Sequence, residues 1–91
     1  MKEKEKERTL KALANKRRLA IIELLRKGDE KSVGEIADNI KLSFRATSKH
    51  LSVLMNADIL EKEQRSLQIF YSINKEAPDM IKQLLRILFV V

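Results

Sequence analysis

Cysteine and tryptophan are both absent from this 91-residue chain. Without thiols there are no disulfides, no thiolate metal sites and no cysteine redox chemistry, which suits a reducing compartment. The only glycines are Gly28 and Gly34 and the only proline is Pro78. That leaves no glycine-rich phosphate loop and no low-complexity linker. There is one histidine, His50, so one chain cannot assemble an imidazole cluster. With no carboxylates clustered in a plausible cleft either, an enzyme is not expected. Aromatics make up 4% of the chain, too few for the stacking platforms that hold single-stranded RNA. No apolar run reaches the roughly 18 residues of a membrane span. The opening MKEKEKER lacks the apolar core of a secretory signal. These absences predict a cytoplasmic, nucleoid-associated protein with no membrane partner and no cofactor.

One sign of charge is missing locally. Between Asp38 and Asp58 there is no acidic residue, while Lys41, Arg45 and Lys49 all lie there. A solvated face ordinarily mixes signs. The net charge of +6 and a pI near 9.8 point the same way, to a polyanionic partner.

The acid-free stretch has a clear period. Val33, Ile36, Ala37 and Ile40 mark a short helix, Lys41-Leu42-Ser43 a turn, and Phe44 to about Asn56 a second helix. In that second helix Thr47, Leu51 and Leu54 share one face at i, i+4, i+7. The opposite face offers Phe44, Arg45, Ser48, Lys49 and Ser52. Two helices joined by so short a turn, the second with a polar, basic outer face, follow the helix-turn-helix plan.

The flanks read as support. Alternating charges pair Glu3 with Lys6 and Lys4 with Glu7 in a helix over about 3–14. Asn15 is placed to cap the next helix, whose broadly apolar run includes Leu19, Ile21, Ile22, Leu24 and Leu25, and Gly28 stops it. Ser32 and Glu35 form a capping box, and Ser43 caps the second helix of the motif. After Asp58 the period drops to 2. Ile59 to Glu63 and Leu67 to Ile73 read as two strands, with Leu67, Ile69, Tyr71 and Ile73 on one face and Gln64-Arg65-Ser66 as the turn. Asn74 then begins a helix over about 75–90, with Pro78 in its first turn. Its stripe is Ala77, Met80, Ile81, Leu84, Leu85 and Leu88, and Ile87, Phe89, Val90 and Val91 add apolar surface beyond it. Such an excess in a small domain needs a mate, and a second copy is the simplest one.

The expected architecture is therefore mainly α with a two-stranded β wing, a winged helix-turn-helix. One domain spans 1–91 and is paired as a homodimer through its terminal helices. Leu10, Leu13, Met80, Ile81, Leu84, Leu85 and Leu88 are the expected dimer contacts.

The run from Leu10 to Leu19, LKALANKRRL, continues through Ile22-x-x-Leu25 and Val33-x-Glu35-Ile36-Ala37 to Leu42-Ser43. Ser48-Lys49-His50-Leu51-x-x-Leu54, Asp58-Ile59-Leu60 and Phe70-Tyr71 complete a set over about residues 9–74 that resembles the ArsR-type winged-helix repressors. The resemblance implies a homodimeric prokaryotic repressor that releases its operator when an effector, often a metal ion, binds. This chain departs from the pattern at several points. Ser32 and Gly34 stand where many metal sensors have a cysteine pair, and the last helix has Asp79 and no histidine. Soft-metal sensing through those sites is thus not expected, and the effector is left open. Lys16 replaces a common proline, Thr47 a common aliphatic residue, and Ser66 and Leu67 a common Gly and Arg at the wing tip.

The expected partner is double-stranded DNA. A major groove about 12 Å wide admits one helix, and residues near its N-terminus reach base edges. Here those are Ser43, Phe44, Arg45 and Ser48. Arg45 suits bidentate contact with guanine. Phe44 suits either a thymine methyl or packing on the preceding helix. Lys49 and Ser52 lie along the same face, Lys49 toward phosphate. His50 reads either as a phosphate contact from the flank or as a partly buried histidine held by a backbone partner. In the family fold the region of Lys16, Arg17 and Arg18 lies close to the DNA backbone and the dimer interface, so Lys16 or Arg17 is expected to meet a phosphate before Arg18, whose alternative is an intramolecular salt-bridge anchor. Arg65 and Gln68 are the wing's expected contributors. The competing reading is a winged helix that binds protein or RNA.

Overall fold

The computed structural model describes residues 2–89. The elements run α1 (Glu3–Leu13), α2 (Lys16–Leu25), β1 (Lys31–Ser32), α3 (Val33–Ile40), α4 (Phe44–Asn56), β2 (Leu60–Arg65), β3 (Gln68–Ile73) and α5 (Asp79–Leu88).

Short polar side chains set three helix starts. Asn15 accepts from the backbone N–H groups of Arg17 and Arg18 at 2.9 and 3.2 Å. Ser32 and Glu35 complete a reciprocal capping box. Ser43 accepts from the Ala46 N–H at 3.1 Å. Each cap satisfies donors that the first turn leaves orphaned and is worth about 1 kcal/mol. The α3–α4 turn closes through Lys41, left-handed at φ 56°, and the Leu42 N–H donates to the Ala37 carbonyl at 3.1 Å.

The core is aliphatic. Ile21, Ile22 and Leu25 of α2 pack with Ile36 of α3, Leu51 and Leu54 of α4, Ile59 and Leu60 at the start of the wing, and Ile81 of α5. Burying each such side chain contributes roughly 1.5–3 kcal/mol. The core holds α4 by its inner face and leaves the other face outward.

The wing differs from its expected form. It is a three-stranded antiparallel sheet in the order β1-β3-β2, with Lys31 opposite Tyr71 and Ser32 opposite Phe70. A strand of two residues has no readable period, which is why the sequence pattern misses β1. The hairpin register pairs Arg65 with Gln68. Gln64 and Arg65 therefore belong to β2, and the turn is Ser66-Leu67. Ser66 takes φ 57°, a positive φ at the first central position, as a II′-type hairpin turn needs. Leu67, expected on the strand's inner face, stands at the apex instead and is 95% exposed.

The last helix also starts later. Pro78 is its N-cap rather than a first-turn residue. Asn74 makes a local turn, accepting through Oδ1 from the Glu76 N–H at 3.1 Å and through its carbonyl from the Ala77 N–H at 3.1 Å. Val90 and Val91 lie outside the described residues.

Two of the expected dimer contacts are corrected. Leu13 and Ile81 are buried in the chain's own core, because α1 and α5 each turn one edge of their apolar stripe inward. Met80, Leu84 and Leu85 are half-buried, whereas Leu10, Leu88 and Ile87 stand exposed.

Candidate nucleic-acid interface

Burial of Thr47, Leu51 and Leu54 fixes the rotation of α4. That rotation exposes Ser43, Phe44, Arg45, Lys49 and Ser52, with Ser48 and His50 half-buried at the flank. Phe44 is 62% exposed and borders a notch with Val33 and Gly34 at the start of α3. The Ser43 hydroxyl already serves as the helix cap. Among the described residues, no ion pair engages Arg45, Lys49, Lys41 or Lys16. Among the described residues, the exposed face of α4 thus carries cations without internal counterions, next to the Ser43 cap.

Thr47 is fully buried on the inner face of α4, and its hydroxyl has no hydrogen-bond partner among the described residues.

The basic triplet at the start of α2 divides its labour. Lys16 is exposed. Arg17 is half-buried, and its Nη1 donates to the Ile40 carbonyl at 2.9 Å, capping the end of α3 beside the turn. Arg17 therefore braces the motif, and only its remaining donors are free to meet a phosphate. Arg18 is an internal clasp. Its Nε donates to the Ala12 carbonyl at 2.6 Å, its Nη2 to the Lys11 carbonyl at 2.9 Å, and its Nη1 meets His50 Nδ1 at 3.2 Å. Guanidinium is only a donor, so Nδ1 accepts and the neutral ring carries its proton on Nε2. The partner of His50 is thus a side chain, not the backbone. Burial pushes the imidazole pKa down, and the charges of Arg18 and Arg17 push it further.

The wing offers less positive charge than expected. Arg65 is bound by Glu30 and Glu63, with Nη2 at 2.8 Å from Glu30 Oε2 and 2.9 Å from Glu63 Oε1. Its guanidinium lies 5.1 Å from the Phe70 ring centroid. The carboxylates hold the Arg65 pKa even further up than usual, and the Arg65 hydrogen bond lowers that of Glu63. Arg65 is therefore a tie between hairpin and α2–β1 loop, not the free cation anticipated from sequence. Glu30 lies 35 residues away in the chain, beyond any local pattern that could have signalled the pair. Gln68 is exposed at the base of the hairpin tip. Among the described residues, no group of three or more His, Cys, Asp or Glu side chains could hold a metal ion. No helix among them is long and apolar enough to cross a membrane.

Residues 15–62 match the family described as "Bacterial regulatory protein, arsR family". The chain is 37% identical over 79 residues to the transcriptional activator HlyU of Vibrio cholerae, covering 86% of this chain and 72% of that protein. It is 33% identical over 64 residues to the transcriptional repressor SdpR of Bacillus subtilis, covering 70% of each. A homodimeric winged helix-turn-helix DNA-binding domain from Mycobacterium bovis, a possible ArsR-family regulator, superposes with a TM-score of 0.81 at 30% identity, over 96% of this chain and 77% of that one. This chain belongs to the ArsR family of DNA-binding winged helix-turn-helix transcription regulators.

Proposed function

We propose that residues 1–91 form one winged-helix domain that pairs with a second copy and represses transcription by occupying an inverted-repeat operator in the bacterial cytoplasm. The observation that carries this reading is the outer face of α4, which exposes Arg45 and Lys49 with no acidic residue from Asn39 to Ala57. Arg45 reads guanine through O6 and N7. Phe44, largely exposed, meets a thymine methyl. Ser43, Ser48 and Ser52 offer hydroxyls along the groove, and Lys49 and Lys16 neutralise phosphates. His50, with its proton on Nε2, presents a neutral donor to the DNA backbone. Arg17 adds a phosphate contact through the donors it does not spend on Ile40, and Gln68 reaches from the wing.

The homodimeric Mycobacterium bovis relative supports pairing. So does the apolar surface of Leu10 on α1 and Met80, Leu84, Leu85, Ile87 and Leu88 on α5. A pair carries twice the +6 of one chain, about +12. It sets two α4 helices about one DNA turn apart, roughly 34 Å. Ser32 and Gly34 offer no soft ligands, so soft-metal sensing through those positions is not part of this reading, which leaves the effector open.

Selection of bound duplexes from a random library tests the reading. An inverted repeat with half-sites about 10–10.5 bp apart is expected, with affinity falling steeply as salt rises. Absence of binding to any duplex at low salt would overturn it.

A further inference from the structure

Lys4, Arg8 and Lys11 fall on one face of α1 at i, i+4, i+7, spread over about 10.5 Å of the helix axis. With Glu7, Arg18 of α2 and Asn56 of α4 they line a cleft of about 380 Å³ between α1 and the C-terminal half of α4. Four cations thus face one carboxylate. Arg8 meets Asp58 at 3.6 Å and Lys11 meets Glu7 at 3.6 Å. Both pairs are exposed and screened by water, so an anionic ligand can displace them. Among the described residues, no carboxylate pairs with Lys4 or Arg18. Arg18 is half-buried and held. It uses donors on the Ala12 and Lys11 carbonyls and on His50, and a guanidinium has five, so two remain. Leu10 sits about 100° round the helix from Lys11, so the apolar edge that suits pairing and the cleft are different faces of α1.

We propose that this cleft binds a small-molecule polyanion of the diphosphate class, and that its occupant weakens binding to DNA. The effect on DNA rests on the DNA-binding reading above, whereas the binding itself does not. The cleft has the size of a small-molecule site, about 300–1,000 Å³. Its four cations less one carboxylate leave three positive charges to balance, and two phosphate groups carry roughly three negative ones. The row of cations along α1 suits two linked phosphates better than one, and the Asn56 amide can donate to a phosphate oxygen. The cleft is concave and meets α4 at its last turn, whereas the residues that reach base edges lie at its first. A compact anion therefore suits it better than the backbone of a duplex. Asn56 is seven positions beyond Lys49 on the same face of α4, about 10.5 Å away. An anion seated there offsets positive charge beside Lys49 and lessens the pull on DNA phosphates. By linkage, bound DNA lowers affinity for the anion by the same factor.

Calorimetric titration with inorganic pyrophosphate at fixed ionic strength tests the site on the wild-type chain, the double variant Lys4→Gln, Lys11→Gln, and Lys49→Gln. Lys4 and Lys11 are exposed, so the double variant folds. One pyrophosphate per chain is expected in the wild type, roughly tenfold weaker binding in the double variant, and unchanged binding in Lys49→Gln. Saturating pyrophosphate should lower wild-type affinity for duplex several-fold relative to sodium chloride of equal ionic strength, and leave the double variant unaffected. Equal pyrophosphate affinity in the wild type and the double variant would overturn the site. A double variant that loses duplex affinity as strongly as Lys49→Gln, with no pyrophosphate present, would make the cleft part of the track for DNA phosphates and overturn its role as an effector site. A wild-type chain that binds pyrophosphate in the cleft but no duplex would overturn the DNA-binding reading and leave the site standing.

Discussion

Arg18 Nη1 donates to His50 Nδ1 at 3.2 Å, and the same guanidinium holds the Lys11 and Ala12 carbonyls at the end of α1. One side chain on α2 thereby joins α1 to α4. Only neutral imidazole can accept that bond. Because the folded state lowers the His50 pKa, an unfolded chain takes up the proton first as pH falls. The stabilisation is complete above the ordinary imidazole value of about 6.5 and is lost as pH drops through the lower folded value. Melting temperature should therefore decline on acidification below about pH 6.5, and His50→Gln should flatten that decline. His50 is the only histidine. Glu23, Glu35 and Glu63 all have lowered pKa values, so they respond only at more acid pH. An identical slope in the variant would place the pH response elsewhere.

Arg45 and Lys49 should separate in their effects on DNA. Arg45→Ala is expected to erase about 1–3 kcal/mol of base discrimination. Lys49→Ala should weaken all duplexes alike and reduce the salt slope by about one. Fluorescence anisotropy on cognate and scrambled duplexes across a salt series distinguishes the two.

Freeing Arg65 should strengthen electrostatic attraction. In the double variant Glu30→Gln, Glu63→Gln the guanidinium loses both counterions, and two negative charges leave the wing. Affinity for scrambled duplex should rise, with a salt slope steeper by about one. Unchanged salt dependence would show that Arg65 does not face the DNA.

The apolar residues of the terminal helices fall into two classes. Leu88→Glu alters a residue that is 52% exposed and should shift sedimentation toward monomer. Leu13→Ala and Ile81→Ala excavate the protomer's own core and should cost about 2–5 kcal/mol, read by denaturant unfolding. A Leu88→Glu chain that still sediments as a dimer would move the interface elsewhere.

Thr47→Val should stabilise the protein. The Thr47 hydroxyl is buried without a partner among the described residues, and an unsatisfied buried polar group costs about 1–3 kcal/mol. A near-isosteric methyl removes that cost. In a domain of this size, 1 kcal/mol raises Tm by roughly 4–8 °C. A fall in Tm would reveal a water or side-chain partner for the hydroxyl.

What the sequence made legible was local. Asn15, Ser32, Glu35 and Ser43 announce helix starts because a cap and its target lie two or three residues apart. The stripe Thr47, Leu51, Leu54 sets the rotation of α4 because helical period survives in any tertiary setting. What escaped depends on distant partners or on a difference of one residue. The Arg65–Glu30 pair, the Arg18 clasp on His50 and the β1–β3 pairing join segments far apart in the chain, and no period records them. The hairpin turn slipped because Ser66 accepts a positive φ that its identity does not advertise, and that single shift carried Leu67 from the sheet face to the apex. Leu13 and Ile81 share a helical stripe with exposed neighbours, and hydropathy alone does not divide an inner edge from an outer one.

The balanced wing bears on how quickly a target is found. A regulator travels along DNA by exchanging counterions at each phosphate it touches, and every added fixed cation deepens the trap at random sequence. With Arg65 neutralised by Glu30 and Glu63, the hairpin adds little to that drag. On the DNA-binding face proposed above, residence on non-target DNA would be set mainly by α4 and the start of α2, and the expected gain is mobility during the search.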